Sequence, residues 1–327
     1  MAITLAEAKA TMVDKVDQAV VDEFRRESFL LDKLTFDDTV SPGTGGSTMT
    51  YGYTRLETPS TAEGRKINSE YSLNEAKRKK CTAELKIFGG AFAVDRVVQN
   101  TSGNLNEIQF QLKEKIKAAR NHFHYMVISG DSAQNETEFD GLDAMLTGTS
   151  TEYTDALGLD VSTSDLLDAN YKRFLDELDD FLSGLEGKPD ALLGCSKLIS
   201  RIQAVARRAG YLTHSEDSFG RKVESYNGII LSDLGQYYNG TETVDIAGAY
   251  TAEIKGSETT GLCDLYTVTF GLDAFHAASP AGGKVINTYL PDMKAPGAVK
   301  KGEVEMVAAA VLKNSRKAGV FRGIKVR

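Results

Sequence analysis

The sequence predicts an α+β fold, and three observations predict it. They are one long amphipathic helix at 104–129, a pair of period-two runs at 48–56 and 81–87, and strand–helix–strand alternation from Ala191 onward. The helix is the organising element. Leu105, Ile108, Leu112, Ile116, Ala119, Phe123 and Met126 recur at spacings of three and four and form one apolar stripe, while Glu107, Gln111, Glu114, Lys115, Lys117 and Arg120 fall away from it. Asn104 and Glu107 have capping-box spacing, no proline interrupts the run, and Gly130–Asp131 ends it. At about 1.5 Å per residue the helix would run roughly 35–40 Å, the width of a domain, so two or more elements must pack along it as along a spine.

Ahead of the spine, Thr4 and Glu7 form a second capping box before Met12, Val13, Val16, Val20 and Phe24, an amphipathic helix that tapers into Phe29, Leu30, Leu31 and Leu34. Ser41–Ser47 (SPGTGGS) is a flexible connection that frees this helical arm from the rest of the chain. The run from Thr48 to Leu56 puts Met49, Tyr51 and Tyr53 on one side. A second run through Cys81, Ala83, Leu85 and Ile87 is its antiparallel partner, and Gly89–Gly90 closes the excursion. Between them Glu57–Lys80 is long, polar and basic, a length that marks a functional or mobile loop. A lone two-stranded ribbon is marginal in water and needs another surface to lie against.

After the spine, Phe139, Asp140, Gly141, Leu142 and Met145 return to the core. A new unit begins near Asp155, where Ser164 caps a helix with Leu167, Tyr171, Phe174, Leu178 and Phe181 inward, ending at Gly184. Ala191–Leu193 reads as a buried strand, Ser196 caps a helix to Gly210, and short strands follow at 222–226, 229–231, 265–270 and 284–287. Val304–Leu312 and Val320–Val326 close the chain as strands.

The 327 residues, 41% hydrophobic, suffice for one large core or two modest ones. A net charge of -8 without a basic domain argues against sequence-specific DNA binding. Cys81, Cys195 and Cys263 have no CxxC spacing, which fits a reducing compartment and reduced core or strand thiols. No apolar run approaches the length of a membrane span and the N-terminus lacks a secretion signal, so the expectation is a soluble protein made inside a cell, without a membrane partner.

Taken together, the order of parts resembles the major capsid protein of tailed bacteriophages and prophages, the fold named after phage Hong Kong ninety-seven and shared with encapsulin shells. The local matches are Thr4–Ala8 (TLAEA), Phe36–Ser47 (FDDTVSPGTGGS), Thr50–Arg55 (TYGYTR), Lys86–Arg96 (KIFGGAFAVDR), Ser129–Ser132 (SGDS) and Phe139–Leu142 (FDGL). The resemblance implies an N-terminal arm at 1–47 and an extended hairpin loop at 48–90. It further implies a peripheral domain at 91–154 and 291–327 holding the spine, and an axial domain with mixed sheet and helices at 155–290. It implies hexamers and pentamers tiling an icosahedral shell around packaged double-stranded DNA, a virion component assembled in the bacterial host cytoplasm, with a portal and a separate scaffold or protease as partners. With no coiled-coil segment ahead of the arm, a fused scaffolding domain is not expected. An encapsulin-like compartment enclosing protein cargo is the alternative, and a soluble α+β enzyme a more distant one.

Candidate chemistry is sparse. His122 and His124, two apart on a helix, point to different sides and make a poor metal pair. His214 and His276 stand apart from any nucleophile motif, and Asp176, Glu177, Asp179 and Asp180 lack the glycine and terminal glutamate of a calcium loop. No catalytic, cofactor or metal residue is therefore assigned, and the expectation is a non-enzymatic protein that needs no cofactor. The candidate functional residues are inter-subunit contacts: Val13, Val16, Val20 and Phe24 on the arm, and Arg65 and Lys66 in the hairpin loop. Arg65 and Lys66 either pair with acidic residues of a neighbouring copy or form a solvated tip. Some relatives join a loop lysine to an asparagine of the next subunit, and Lys66 and Asn314 are conceivable partners for such a bond. Lys115, Lys117 and Arg120 either face the genome or form a solvated helix face. Deleting Glu57–Lys77 is expected to leave a folded monomer that no longer forms shells; normal particles from that deletion in electron microscopy would refute the assignment.

Overall fold

The computed structural model describes residues 29–40, 49–101, 107–210, 212–216, 222–280 and 286–327. The arm helix with Val13, Val16, Val20 and Phe24, the 41–47 hinge and the Asn104 cap lie outside the described residues. The rest is mixed α+β, as the sequence predicts.

The spine runs over Glu107–Ser129, and its end is where the sequence puts it: the Gly130 amide donates to the Met126 carbonyl at 3.0 Å. Its C-terminal half carries the load of packing, with Ala119, Phe123, Met126, Val127 and Ile128 buried, while Ile108, Leu112 and Ile116 in the other half are only partly covered. Phe123 stacks on Phe88 at 6.1 Å between ring centres, and Tyr125 stacks on Tyr237 at 4.4 Å. His124 is buried, and burial, reinforced by the Arg120 charge, pushes it down to about 4.

Beneath the spine lies the long strand Val299–Leu312, held between Lys86–Asp95 and Ile286–Tyr289 and pairing through Leu312–Ala309 with Phe275–Ala278. Here one expectation is corrected. The ribbon ends at Glu84, not at Gly90, and Lys86–Asp95 is a separate strand that contains Ile87, Gly89 and Gly90. The period-two pattern continues unbroken across this junction, so it hides the change of partner. Gly89 answers to the neighbouring strand and not to a turn: a Cβ there would sit 2.0 Å from the Val304 carbonyl oxygen.

The second sheet, eight-stranded, is ordered Glu152–Tyr153, Ala318–Lys325, Ser257–Val268, Ala191–Gly194, Ile229–Asp233, Lys222–Tyr226 and Leu212–Glu216, with Tyr250–Ile254 also paired to Ser257–Val268. Alternating side chains serve two cores. Leu192, Leu265 and Phe321 meet the helices Ser164–Ser183 and Ser196–Ala209, whereas Leu193, Tyr266 and Val320 belong to the core under the spine. The two closing strands, alike in sequence, therefore join different sheets. Both helix caps fall one residue earlier than expected: Thr163 accepts from the Leu166 amide at 3.3 Å, and the Cys195 sulfur from the Leu198 amide at 3.4 Å.

The turn after the spine admits no side chain at Gly141, where a Cβ would lie 2.5 Å from the Met126 carbonyl oxygen and 2.7 Å from that of Ile128. Gly141→Ala is expected to destabilise the subunit by about 1–3 kcal/mol in urea unfolding, while Gly64→Ala, at an open loop position, leaves the midpoint unchanged. His124 sets a pH dependence whose sign follows from its depressed value. Between about 6.5 and about 4 the unfolded chain takes up a proton that the folded chain refuses, so stability is complete above this window and falls on acidification through it. The loss reaches up to about 3 kcal/mol, and in His124→Gln the unfolding midpoint should drop less between pH 7 and pH 4.5.

Candidate assembly surface

The ribbon pairs Thr50–Thr58 with Lys77–Glu84, from Thr50 opposite Glu84 to Thr58 opposite Lys77, and these strands pair with no other strand among the described residues. Threonine, tyrosine and alternating polarity favour extended backbone at its root, where Tyr51 is buried and Tyr53 and Ala83 pack on the core under the spine. Outward from there the chain leaves the body: every residue from Leu56 to Lys80 is exposed.

Side chains fix the direction in which the ribbon leaves. The Tyr51 hydroxyl donates to Asp37 Oδ2 at 2.6 Å, His276 Nε2 lies 3.3 Å from the same hydroxyl, and the Lys313 ammonium sits 5.5 Å from the Tyr51 ring centre. Arg55 Nη2 donates to the Leu312 carbonyl at 2.6 Å, which fastens the ribbon to the end of the long strand. Burial works to raise the Asp37 carboxyl, but hydrogen bonds from Thr39 and Tyr51 outweigh it and hold the group below its ordinary value. Burial, with the Lys313 charge, pushes His276 down, so the root is anchored by a carboxylate, a phenol and a neutral imidazole.

At the far end Arg65 and Lys66 sit where the sequence puts them, on the loop, and neither makes an ion pair among the described residues. Arg65 serves the tip itself: its Nη1 donates to the Ser69 carbonyl at 3.2 Å and its guanidinium lies 5.4 Å from the Tyr71 ring centre. Lys66 closes the turn through its carbonyl, which accepts from the Ser69 hydroxyl at 2.8 Å, with Asn68 at φ 65. Two neighbours escape a pattern search because they are isolated among polar residues. Ile67 is 92% exposed and Leu73 is 101% exposed. Asn314 is engaged in its own turn, donating to Glu186 Oε2 at 2.7 Å and accepting from the Arg316 amide at 3.0 Å.

One polar cluster goes unseen in the sequence because its members lie far apart along the chain. Arg322 donates to Asp264 at 2.8 Å, to Glu152 at 2.9 Å and to the Thr147 hydroxyl at 2.9 Å, and it also meets Asp143. The Tyr250 hydroxyl donates to Asp264 at 2.7 Å and that of Tyr266 to Asp143 at 2.9 Å, around a cleft of about 420 Å³. Burial opposes the Arg322 charge, but the bonds and charges of Asp264 and Asp143 more than offset it and hold the guanidinium protonated. Burial and the Asp264 charge push both tyrosine hydroxyls up, away from ionisation. With one guanidinium bridging three carboxylates and its hydroxyls neutral, the cluster is a clasp joining the segment after the spine to the eight-stranded sheet. His122 packs edge-on against Phe88 at 6.0 Å and stacks on Tyr125 at 6.1 Å. Of the acidic helix residues, Glu177 accepts from the Tyr153 hydroxyl at 2.5 Å and Asp179 from the Tyr226 hydroxyl at 2.9 Å.

No protein-family model matches the sequence, and no curated protein sequence matches it. Solved structures do match. The holo-SrpI encapsulin complex from Synechococcus elongatus PCC 7942 aligns with a TM-score of 0.63 at 12% identity, covering 99% of this chain and 97% of that one. A structure from Mycobacterium phage Bobi aligns at 0.58 with 13% identity over 99% and 98%, and the capsid of a native GTA particle at 0.58 with 10% identity over 98% of each chain. At such low identity the likeness is one of fold over the whole chain: the protein has the phage major capsid fold, which the encapsulin shell shares.

Proposed function

We propose that this chain is a shell-forming capsid subunit, the major head protein of a phage or prophage, whose copies assemble as hexamers and pentamers into an icosahedral shell around double-stranded DNA. The observation that carries the reading is the ribbon: a firmly rooted projection whose tip presents Ile67, Tyr71 and Leu73 to solvent. A projection that fits a different patch on the next copy makes head-to-tail contacts, and such contacts generate rings and closed surfaces. Each contact is weak alone, but later contacts of the same subunit are effectively intramolecular, so the closed shell is stable. In this reading Arg65 and Lys66 give the docked ribbon its electrostatic register, and Val13, Val16, Val20 and Phe24 of the arm supply a second apolar contact. The partly covered Ile108, Leu112 and Ile116 offer a further apolar seam.

The net charge of -8 supports containment of the genome over tight gripping, with Lys115, Lys117 and Arg120 as candidates for contacts to phosphates without sequence preference. The shell itself does no chemistry; assembly in the bacterial host cytoplasm, a portal and a separate scaffold or protease belong to the same proposal. A second reading, a compartment for protein cargo, is favoured by the alignment with the encapsulin at 0.63 against 0.58 for the phage and GTA capsids.

Size-exclusion chromatography and electron microscopy of the purified chain should reveal capsomers or particles of megadalton mass. The double variant Ile67→Glu with Leu73→Glu should run as small species with an unchanged unfolding midpoint. A wild-type chain that stays a small oligomer at every concentration would overturn the proposal. Nuclease treatment of particles from infected or induced cells separates the two readings, since protected DNA marks a viral head and co-purifying protein without DNA a cargo compartment.

A further inference from the structure

Two of the three cysteines, 68 residues apart, meet inside the helix-covered core. Cys195 follows the buried strand Ala191–Gly194 and Cys263 lies on the central strand Ser257–Val268; each is at most 1% exposed, and their sulfurs are 3.2 Å apart. The two are not equivalent. Cys195 is the N-cap of the 14-residue helix Ser196–Ala209, its sulfur accepting from the Leu198 amide at 3.4 Å, where the helix end favours a thiolate. The hydrogen bond from Cys263 and those helix amides outweigh burial and bring the Cys195 thiol down to about 7, while the same contact and burial push Cys263 up. One sulfur is thus prepared as nucleophile and the other kept as a thiol beside it.

We propose that Cys195 and Cys263 form an oxidation site, a thiol pair that hydrogen peroxide converts into an intrachain disulfide. The Cys195 thiolate attacks a peroxide oxygen; the S–O bond forms as the O–O bond breaks, and hydroxide leaves. The Cys263 sulfur then attacks the sulfenic sulfur, the S–S bond forms as the S–O bond breaks, and the departing hydroxide leaves as water with the Cys263 proton. Two electrons pass from the pair to the peroxide. Closing the bond requires the sulfurs to approach from 3.2 Å to about 2.05 Å, a movement within reach of side-chain rotation. The bridge ties the start of a helix to the middle of the sheet it covers and restricts the unfolded chain over 68 residues. Cys81, on the ribbon, has no cysteine left to pair with once the bridge forms.

The test uses the full chain, reduced and freed of reductant, then treated with hydrogen peroxide, quenched, denatured and alkylated with iodoacetamide. The expected result is a fall from three alkyl adducts to one, a Cys195–Cys263 linked peptide that reductant dissolves, and a rise in thermal midpoint of roughly 5 °C or more. Cys81→Ser should give the same bridge. Cys263→Ser should halt at an oxidised Cys195 with no rise in midpoint. Full alkylation of both residues after peroxide, a link to Cys81 instead, or conversion of Cys195 to sulfinic acid without a bridge would each overturn the proposal.

Discussion

The fold depends on one backbone ladder, the antiparallel pairing of Lys86–Asp95 with Val299–Leu312, which joins segments more than 200 residues apart. The register is unbroken from Lys86 opposite Ala308 to Asp95 opposite Val299, so alternate residues of each strand exchange hydrogen bonds along the whole shared stretch. The spine lies across this pair through Phe88 and Phe123, the ribbon departs from its beginning at Lys86, and the ribbon's root is fastened beside that same end through Arg55 and the Leu312 carbonyl. A slip of a single residue would send Phe88 and Met306 to the wrong face and uncouple all three. The close approach that leaves no room for a Cβ at Gly89 helps hold that register.

How much of this was legible in the sequence depends on which interactions are local. The spine was readable because its stripe is periodic and its end carries a glycine, and the ribbon because its strands alternate and its loop is long and polar. Periodicity says nothing about partners, so the junction at Leu85 was invisible, and the last strand, Ala318–Lys325, gave no sign of joining a different sheet from the strand before it. The caps lie one residue before the ones the sequence predicts because Ser164 and Ser196 are good capping types standing next to Thr163 and Cys195, which take the role. The Arg322 clasp and the facing thiols are products of topology, brought together by sheet order from segments that share no motif. Of the candidate assembly residues, Arg65 and Lys66 are marked in the sequence by their charge, while Ile67 and Leu73, single apolar residues in a polar loop, leave no pattern to find.

Root and tip of the ribbon divide labour on a physical basis. At the root, Tyr51 bonds to Asp37 and lies beside His276, Arg55 bonds to the Leu312 carbonyl, and all four residues are partly or wholly buried, so these hydrogen bonds are shielded from competing water. At the tip, bonds such as Arg65 to the Ser69 carbonyl are exposed and compete with solvent, and the apolar groups have nothing to cover them within the described residues. Direction is therefore set by the body of the subunit, while the tip is left to be completed by what it meets.

The eight-stranded sheet behaves as a partition between two rooms. Because Leu192 and Leu193, Leu265 and Tyr266, or Val320 and Phe321 face opposite sides of one backbone, neither room can be refurnished without moving a wall that the other also leans on. A disturbance on one side is then felt on the far side as a shift of the strands that both sides share.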